Sequence, residues 1–287
     1  MGLITNILFP VSFSPSCIAL AAYVRRAAAL FGARVTLIHV FDPVSHSGLE
    51  LYVRPPSDIA EEHREIARHK LNSFLAADFP VSECPRILAA GDPATEIAAA
   101  SKNGFDLIAM PTHAGAFRRM LLGSTTAKVL DDADCPVATS THAETIAPRP
   151  LEHREWLCAI GMGENSERVL RYAHRISSEA HVNLRIIHAI QSADPELPVL
   201  LDLEEKIQSE ERQMVRTRIE DLQRRVGSHA PVRIAVGPIK EALLEAVRQS
   251  DADVLLIGRG AESGSAGRLR DLTYAMVRDS PFPVMSI

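Results

Sequence analysis

Short apolar runs, bounded by polar or helix-punctuating residues, recur along the chain and alternate with longer segments of helical periodicity. ITNILFPV (4–11) reads as a strand. Ser14-Pro15 follows as an N-cap with proline at the first helical position. An alanine-rich helix then runs to Phe31, and Gly32 stops it. Val35 to Val40 is a second strand, and a loop with Pro43, Pro55 and Pro56 leads to a helix from about Ser57 to Asp78. The half is completed by a strand at Arg86–Ala89, a capped helix in GDPATEIAAAS (91–101), a strand in DLIAM (106–110), a helix in STTAKVLDD (124–132) and a strand in CPVATS (135–140). Runs such as LIAM and VLLIG are apolar throughout rather than alternating, which is the pattern of parallel strands buried on both faces.

The pattern repeats in the same order. VTLIHV (35–40) matches LRIIHA (184–189), FDLIAM (105–110) matches ADVLLI (252–257), and CPVATS (135–140) matches FPVMSI (282–287), with spacings of 149, 147 and 147 residues. Kept order implies duplication. The predicted boundaries are one domain over 1–140 and another over 154–287, with THAETIAPRP (141–150) in the connecting segment 141–153. Strand–helix alternation in each half predicts an α/β fold with right-handed crossovers and a doubly wound parallel sheet. The second helix of the second half, about Leu201 to Val226, is highly charged and is expected to be mostly solvated, with a coiled coil as the weaker reading.

Composition narrows the function classes. The chain has 287 residues, enough for two domains of ordinary size. A formal charge of −5 gives no basic field for nucleic acid or an anionic membrane, and no apolar run reaches the length of a membrane span. The N-terminal segment lacks a basic region before its apolar run and reads as a strand rather than a secretion signal. Cys17, Cys84, Cys135 and Cys158 form no CxxC pair, so reduced, structural thiols in a cytoplasmic protein are expected.

In a doubly wound sheet, ligands sit beyond the C-terminal strand ends at the switch point between the first and fourth strands. The stretch THAGAFRRMLLGSTTAKVL (112–130) leaves that point. Gly123-Ser124-Thr125 begins a helix there, where free amides, the helix dipole and two hydroxyls suit an anion, and Arg118 and Arg119 can add charge. A plainer reading has Ser124 capping the helix and the arginines solvated. Local pattern alone leaves both open.

The whole chain resembles a tandem universal stress protein. The resemblance is carried by ILFPVSFSP, LIHV, DLIAMPTHAGAFRRMLLGSTTAKVL and DADCPVATS. It implies two flavodoxin-like domains, each a five-stranded parallel sheet of order 3-2-1-4-5, packed as an intramolecular pseudo-dimer through the last strand of each half, with a homodimer also open. It further implies adenine nucleotide, ATP or AMP, at a loop with the pattern Gly, two residues, Gly, nine residues, Gly-Ser/Thr. Here Pro111 and Ala114 stand at the first two glycines, with Gly115 next to the second, and eight residues separate Ala114 from Gly123. Gly123, Ser124 and Thr125 match. Ser12 replaces the usual aspartate after the first strand, while Val11 and Val40, with Met110 nearby, match the adenine walls. Thr112 and His113 complete the candidate contacts of the first half.

The second half departs further. Gly161 stands at the aspartate position, and Ala189 stands at that of Val40. Gly258, Arg259, Gly260 and Ala261 occupy the loop start, and Gly267 and Arg268 open the following helix without Gly-Ser/Thr. ATP is not expected there, though the amides with Arg259, Arg268 and Arg270 can hold an anion.

No nucleophile–base set, GxSxG or Walker A motif is present. The first turn, SFSPS, has hydroxyls but no glycine, which leaves FMN as a minor alternative. His39 and His188 recur at the same strand end and are read as capping or packing groups rather than metal ligands. The expectation is a non-enzymatic, nucleotide-responsive stress or signalling protein. The alternatives are an interaction protein with empty sites and a weak ATP hydrolase.

Overall fold

In a computed structural model of the chain, the structure describes residues 2–43, 56–112, 122–140, 153–191, 201–259 and 266–287. The chain divides into two compact units, Met1–Leu151 and Glu152–Ile287.

The first unit runs β1 (Asn6–Pro10), α1 (Pro15–Phe31), β2 (Arg34–Phe41), α2 (Pro56–Ser73), β3 (Arg86–Ala90), α3 (Pro93–Ser101), β4 (Leu107–Pro111), α4 (Ser124–Asp132) and β5 (Val137–Ser140). The second runs β6 (Glu155–Ala159), α5 (Ser166–Glu179), β7 (Asn183–Ile190), α6 (Leu201–Val226), β8 (Val232–Val236), α7 (Ile239–Arg248), β9 (Val254–Ile257), α8 (Ala266–Asp279) and β10 (Val284–Ser286). Strand pairing in the first unit gives the order β3-β2-β1-β4-β5, all parallel. The second gives β8-β7-β6-β9-β10, again all parallel. Both are the flavodoxin-like order 3-2-1-4-5. The chain moves one way across each sheet for its first three strands and the other way for its last two. Right-handed crossovers therefore place the first two helices of a unit on one face and the last two on the opposite face.

The sheets form the centre of each core. Ile7, Leu8, Phe9, Leu37, Ile38, Leu107 and Ile108 are buried in the first, and Trp156, Leu157, Cys158, Ile186, Ile187, Leu255 and Leu256 in the second. The start of each fourth strand is tied to the start of the first. Asp106 Oδ2 accepts from the Thr5 and Asn6 amides at 2.8 and 3.0 Å and from the Thr5 hydroxyl at 2.7 Å. Asp253 Oδ2 accepts from the Arg154 and Glu155 amides at 2.6 and 3.0 Å.

Ser14 caps α1 with Pro15 behind it, and Gly32 closes the helix at φ 63°. The second helix ends earlier than its sequence suggests, at Ser73 rather than near Asp78. Leu75 takes the left-handed conformation at φ 52°, which ends α-helical propagation. Helix α6 does hide a stripe, Val215, Ile219 and Leu222, at i, i+4 and i+7 spacing, while most of its described side chains are exposed. None of the described helices is long and apolar enough to cross a membrane.

Candidate functional site

The first unit brings the C-terminal ends of β1, β2 and β4 side by side. Pro10 pairs with Ile38, and the Val11 amide continues the ladder to the Ile38 carbonyl at 2.8 Å. Leu8 pairs with Ile108, which puts Met110 level with the end of β1. Val11 and Met110 are buried and Val40 is half-buried, so three apolar residues lie at the crest of the sheet.

The helix after β4 starts at Ser124, and Gly123 is its N-cap, extended at φ −61° and ψ 140°, with no side-chain cap. The plainer reading of Ser124 as a cap is therefore corrected: Ser124 is the first helical residue, and its exposed hydroxyl makes no capping bond. The intrahelical ladder begins with the Ala127 amide donating to the Gly123 carbonyl at 2.9 Å, so the amides of Ser124, Thr125 and Thr126 precede it. The Gly123 amide donates to the Thr112 carbonyl at 3.0 Å, and the Thr126 hydroxyl donates to the Pro111 carbonyl at 3.1 Å. These two bonds fix the helix start against the end of β4. His113, Ala114, Gly115, Arg118 and Arg119 lie outside the described residues.

Ser12 sits in a polar knot at the start of α1. Its hydroxyl donates to Ser14 Oγ at 3.1 Å, and its amide donates to Cys17 Sγ at 3.5 Å. The next residue, Phe13, has φ 59°, an uncommon conformation for a bulky side chain. Its ring lies 4.2 Å from that of His39 and 5.2 Å from that of Phe74. His39 Nδ1 donates to the Val11 carbonyl at 2.8 Å. A carbonyl only accepts, so Nδ1 carries the hydrogen. Burial holds the His39 pKa below its ordinary value, against the raising effect of that bond. His39 thus packs and caps at the sheet end, as its sequence position suggests. Phe13 and Phe74 were not legible as site residues, because a left-handed phenylalanine carries no sequence signal.

The second unit repeats the frame. His188 Nδ1 donates to the Ile160 carbonyl at 2.8 Å, and burial again lowers its pKa. Thr273 donates to the Gly258 carbonyl at 3.2 Å, as Thr126 does to Pro111. Here the strand ends enclose a cavity of about 260 Å³, lined by Gly161, His188, Ala189, Gly258 and Arg259 among others. Gly267 lies in the first turn of α8, one residue after its start at Ala266. Gly260 and Ala261 fall outside the described residues, as do the side chains of Arg268 and Arg270. Among the described residues, no cluster of His, Cys, Asp or Glu can hold a metal ion.

A universal stress protein from Archaeoglobus fulgidus DSM 4304 is similar over 98% of this chain and 95% of its own, at 23% identity and a TM-score of 0.65. A putative universal stress protein from Pseudomonas aeruginosa UCBPP-PA14 covers 99% and 93%, at 19% identity and a TM-score of 0.62. At these identities the likeness establishes the fold. No curated protein matches the chain. The model of the universal stress protein family matches residues 4–140 and again 154–287. The chain therefore belongs to the universal stress protein family, as a tandem member with two family domains.

Proposed function

We propose that the protein is a stress-response or signalling protein whose first domain binds an adenine nucleotide, ATP or AMP. The observation that carries this reading is the uncapped start of α4 at the end of β4. Gly123 offers no side chain to the first amides, and the accessible Ser124 and half-buried Thr125 hydroxyls stand beside them. Phosphate oxygens suit such a terminus, because the amides lack intrahelical acceptors and the dipole favours negative charge. Val11, Val40 and Met110 would receive the base, and Thr112, His113, Ala114 and Gly115 would complete the contacts.

The role proposed is binding rather than catalysis. The described residues among these contacts, Val11, Val40, Met110 and Thr112, include no carboxylate or imidazole to activate water, as phosphoryl transfer to water requires. We accordingly propose ATP turnover well below the ~1 per second of ordinary enzymes. A second reading, an interaction protein that holds no nucleotide, is favoured by one observation. The Ser12 hydroxyl is engaged with Ser14 and lacks the charge of a carboxylate acceptor for a ribose.

Mass spectrometry of small molecules released from freshly purified protein tests the first reading against the second. ATP or AMP at near-stoichiometric amounts supports it. Protein that releases none, and that takes up none at millimolar nucleotide, supports the interaction role.

A further inference from the structure

We propose that the second domain holds a separate binding site for a compact, uncharged aromatic molecule that carries one hydrogen-bond donor. The site is the cavity of about 260 Å³ over the ends of β6, β7 and β9. This inference goes beyond the nucleotide reading and does not depend on it, since it concerns the other half of the chain.

Two positions of the repeated frame carry smaller side chains at this cavity. Ala189 stands where the first domain has Val40, and Gly161 stands where it has Ser12. What remains is an apolar wall built largely by Ile160, Val169, Leu243 and Ile257. Ile239 also lines it and is 40% exposed, an apolar side chain left at the rim. An apolar cavity of roughly 150 Å³ holds benzene, so this one has room for a fused two-ring molecule.

The hydroxyls of the wall are turned to backbone carbonyls rather than set out as a phosphate cradle. Both wall hydroxyls are already donating to backbone: Ser166 to the Gly161 carbonyl at 2.8 Å and Thr273 to the Gly258 carbonyl at 3.2 Å. No hydroxyl pair opens α8, whose first residues are Ala266 and Gly267. His188 presents a different chemistry. Its Nδ1–H is held by the Ile160 carbonyl, and burial favours the neutral ring, so Nε2 is an acceptor. Arg259 carries the formal charge of this wall, and a guanidinium packs well on an aromatic face. An apolar ring with a single N–H or O–H matches the apolar walls, the acceptor and the cation together.

Isothermal calorimetry of the full chain with indole as the probe tests the proposal. Saturable binding at one indole per chain is expected. Ile239→Asp puts a charge on the rim of the wall, and because Ile239 is partly exposed the variant should fold normally. It should weaken indole by at least about tenfold, the cost of bringing a carboxylate against an apolar ligand. Ala189→Phe fills the cavity and should abolish binding, whereas Gly123→Val, in the other domain, should leave it unchanged. No saturable binding, binding indifferent to both Ile239→Asp and Ala189→Phe, or displacement of indole by millimolar ATP would each overturn the assignment.

Discussion

Gly258 lies directly against Val169: a Cβ at position 258 would come within 2.7 Å of Val169 Cγ2. Gly258 immediately follows β9 and Val169 is in α5, buried at 4% exposure. The glycine is needed for close approach, in contrast to Gly32, whose φ of 63° is a matter of backbone conformation. Gly258→Ala should destabilise the protein by about 1–3 kcal/mol, the cost of overpacking. Adding Val169→Ala should recover part of that loss despite removing buried methyl groups. Urea unfolding of the two single variants and the double variant measures the coupling. Strictly additive effects would contradict the contact.

The paired histidines predict a pH dependence. Both His39 and His188 have folded pKa values lowered from the ordinary 6.5, chiefly by burial. The unfolded chain therefore binds more protons than the folded one between the folded values and 6.5. Their contribution to stability is complete above 6.5 and is lost as the pH falls through that value towards the folded pKa. Urea midpoints should drop on acidification across this window, and less steeply in a His39→Asn/His188→Asn variant. NMR titration gives a site-specific check: Phe13→Ala uncovers the His39 ring and should move its pKa up, towards 6.5. A wild-type His39 that titrates above 6.5 would reverse the sign of the argument.

The four thiols should be silent in the native protein. Cys17, Cys84, Cys135 and Cys158 are all free and buried. Burial pushes the Cys158 thiol up to about 12, and also raises Cys84, whose Sγ donates to the Val35 carbonyl at 3.0 Å. The thiolate is the reactive form, so neither group offers it near neutral pH. Ellman's reagent should find almost no reactive thiol in native protein and four after denaturation. Rapid native-state labelling of Cys158 would contradict its place in the core.

The fold was legible because the signals were redundant. Apolar runs, the Ser14-Pro15 cap and the ordered repeats all point to the same doubly wound sheet. Even the aspartates that open DLIAM and DVLLI prove structural, since Asp106 and Asp253 tie the starts of β4 and β9 to those of β1 and β6. The end of α2 was not legible, because Leu75 turns left-handed without a glycine to announce it. At the candidate site, the run Gly123-Ser124-Thr125 showed a helix start but not which residue caps it. Assigning the cap needs backbone angles, and these give the role to Gly123. In the second half, Gly161 and Ala189 read as losses from a nucleotide motif. The cavity that both of them line is a property of packing that appears only when the strands, α5 and α7 are assembled around it.

The central claim is that adenine nucleotide binds in the first domain with its phosphates at the start of α4. Gly123 is the residue to test, because the nucleotide must approach the backbone there. Calorimetric titration of ATP and AMP into wild type, Gly123→Val and Gly161→Val tests it most directly; a Cβ at position 161 meets nothing closer than the Gly163 amide nitrogen at 3.9 Å, so this second-domain variant avoids the clash a side chain at 258 would make. Saturable binding to wild type and to Gly161→Val is expected. Gly123→Val should lose about 1.5–3 kcal/mol for each charge-assisted hydrogen bond it blocks, or roughly one to two decades in Kd. Binding that survives Gly123→Val unchanged but disappears in Gly161→Val would contradict the assignment and move the nucleotide to the second domain.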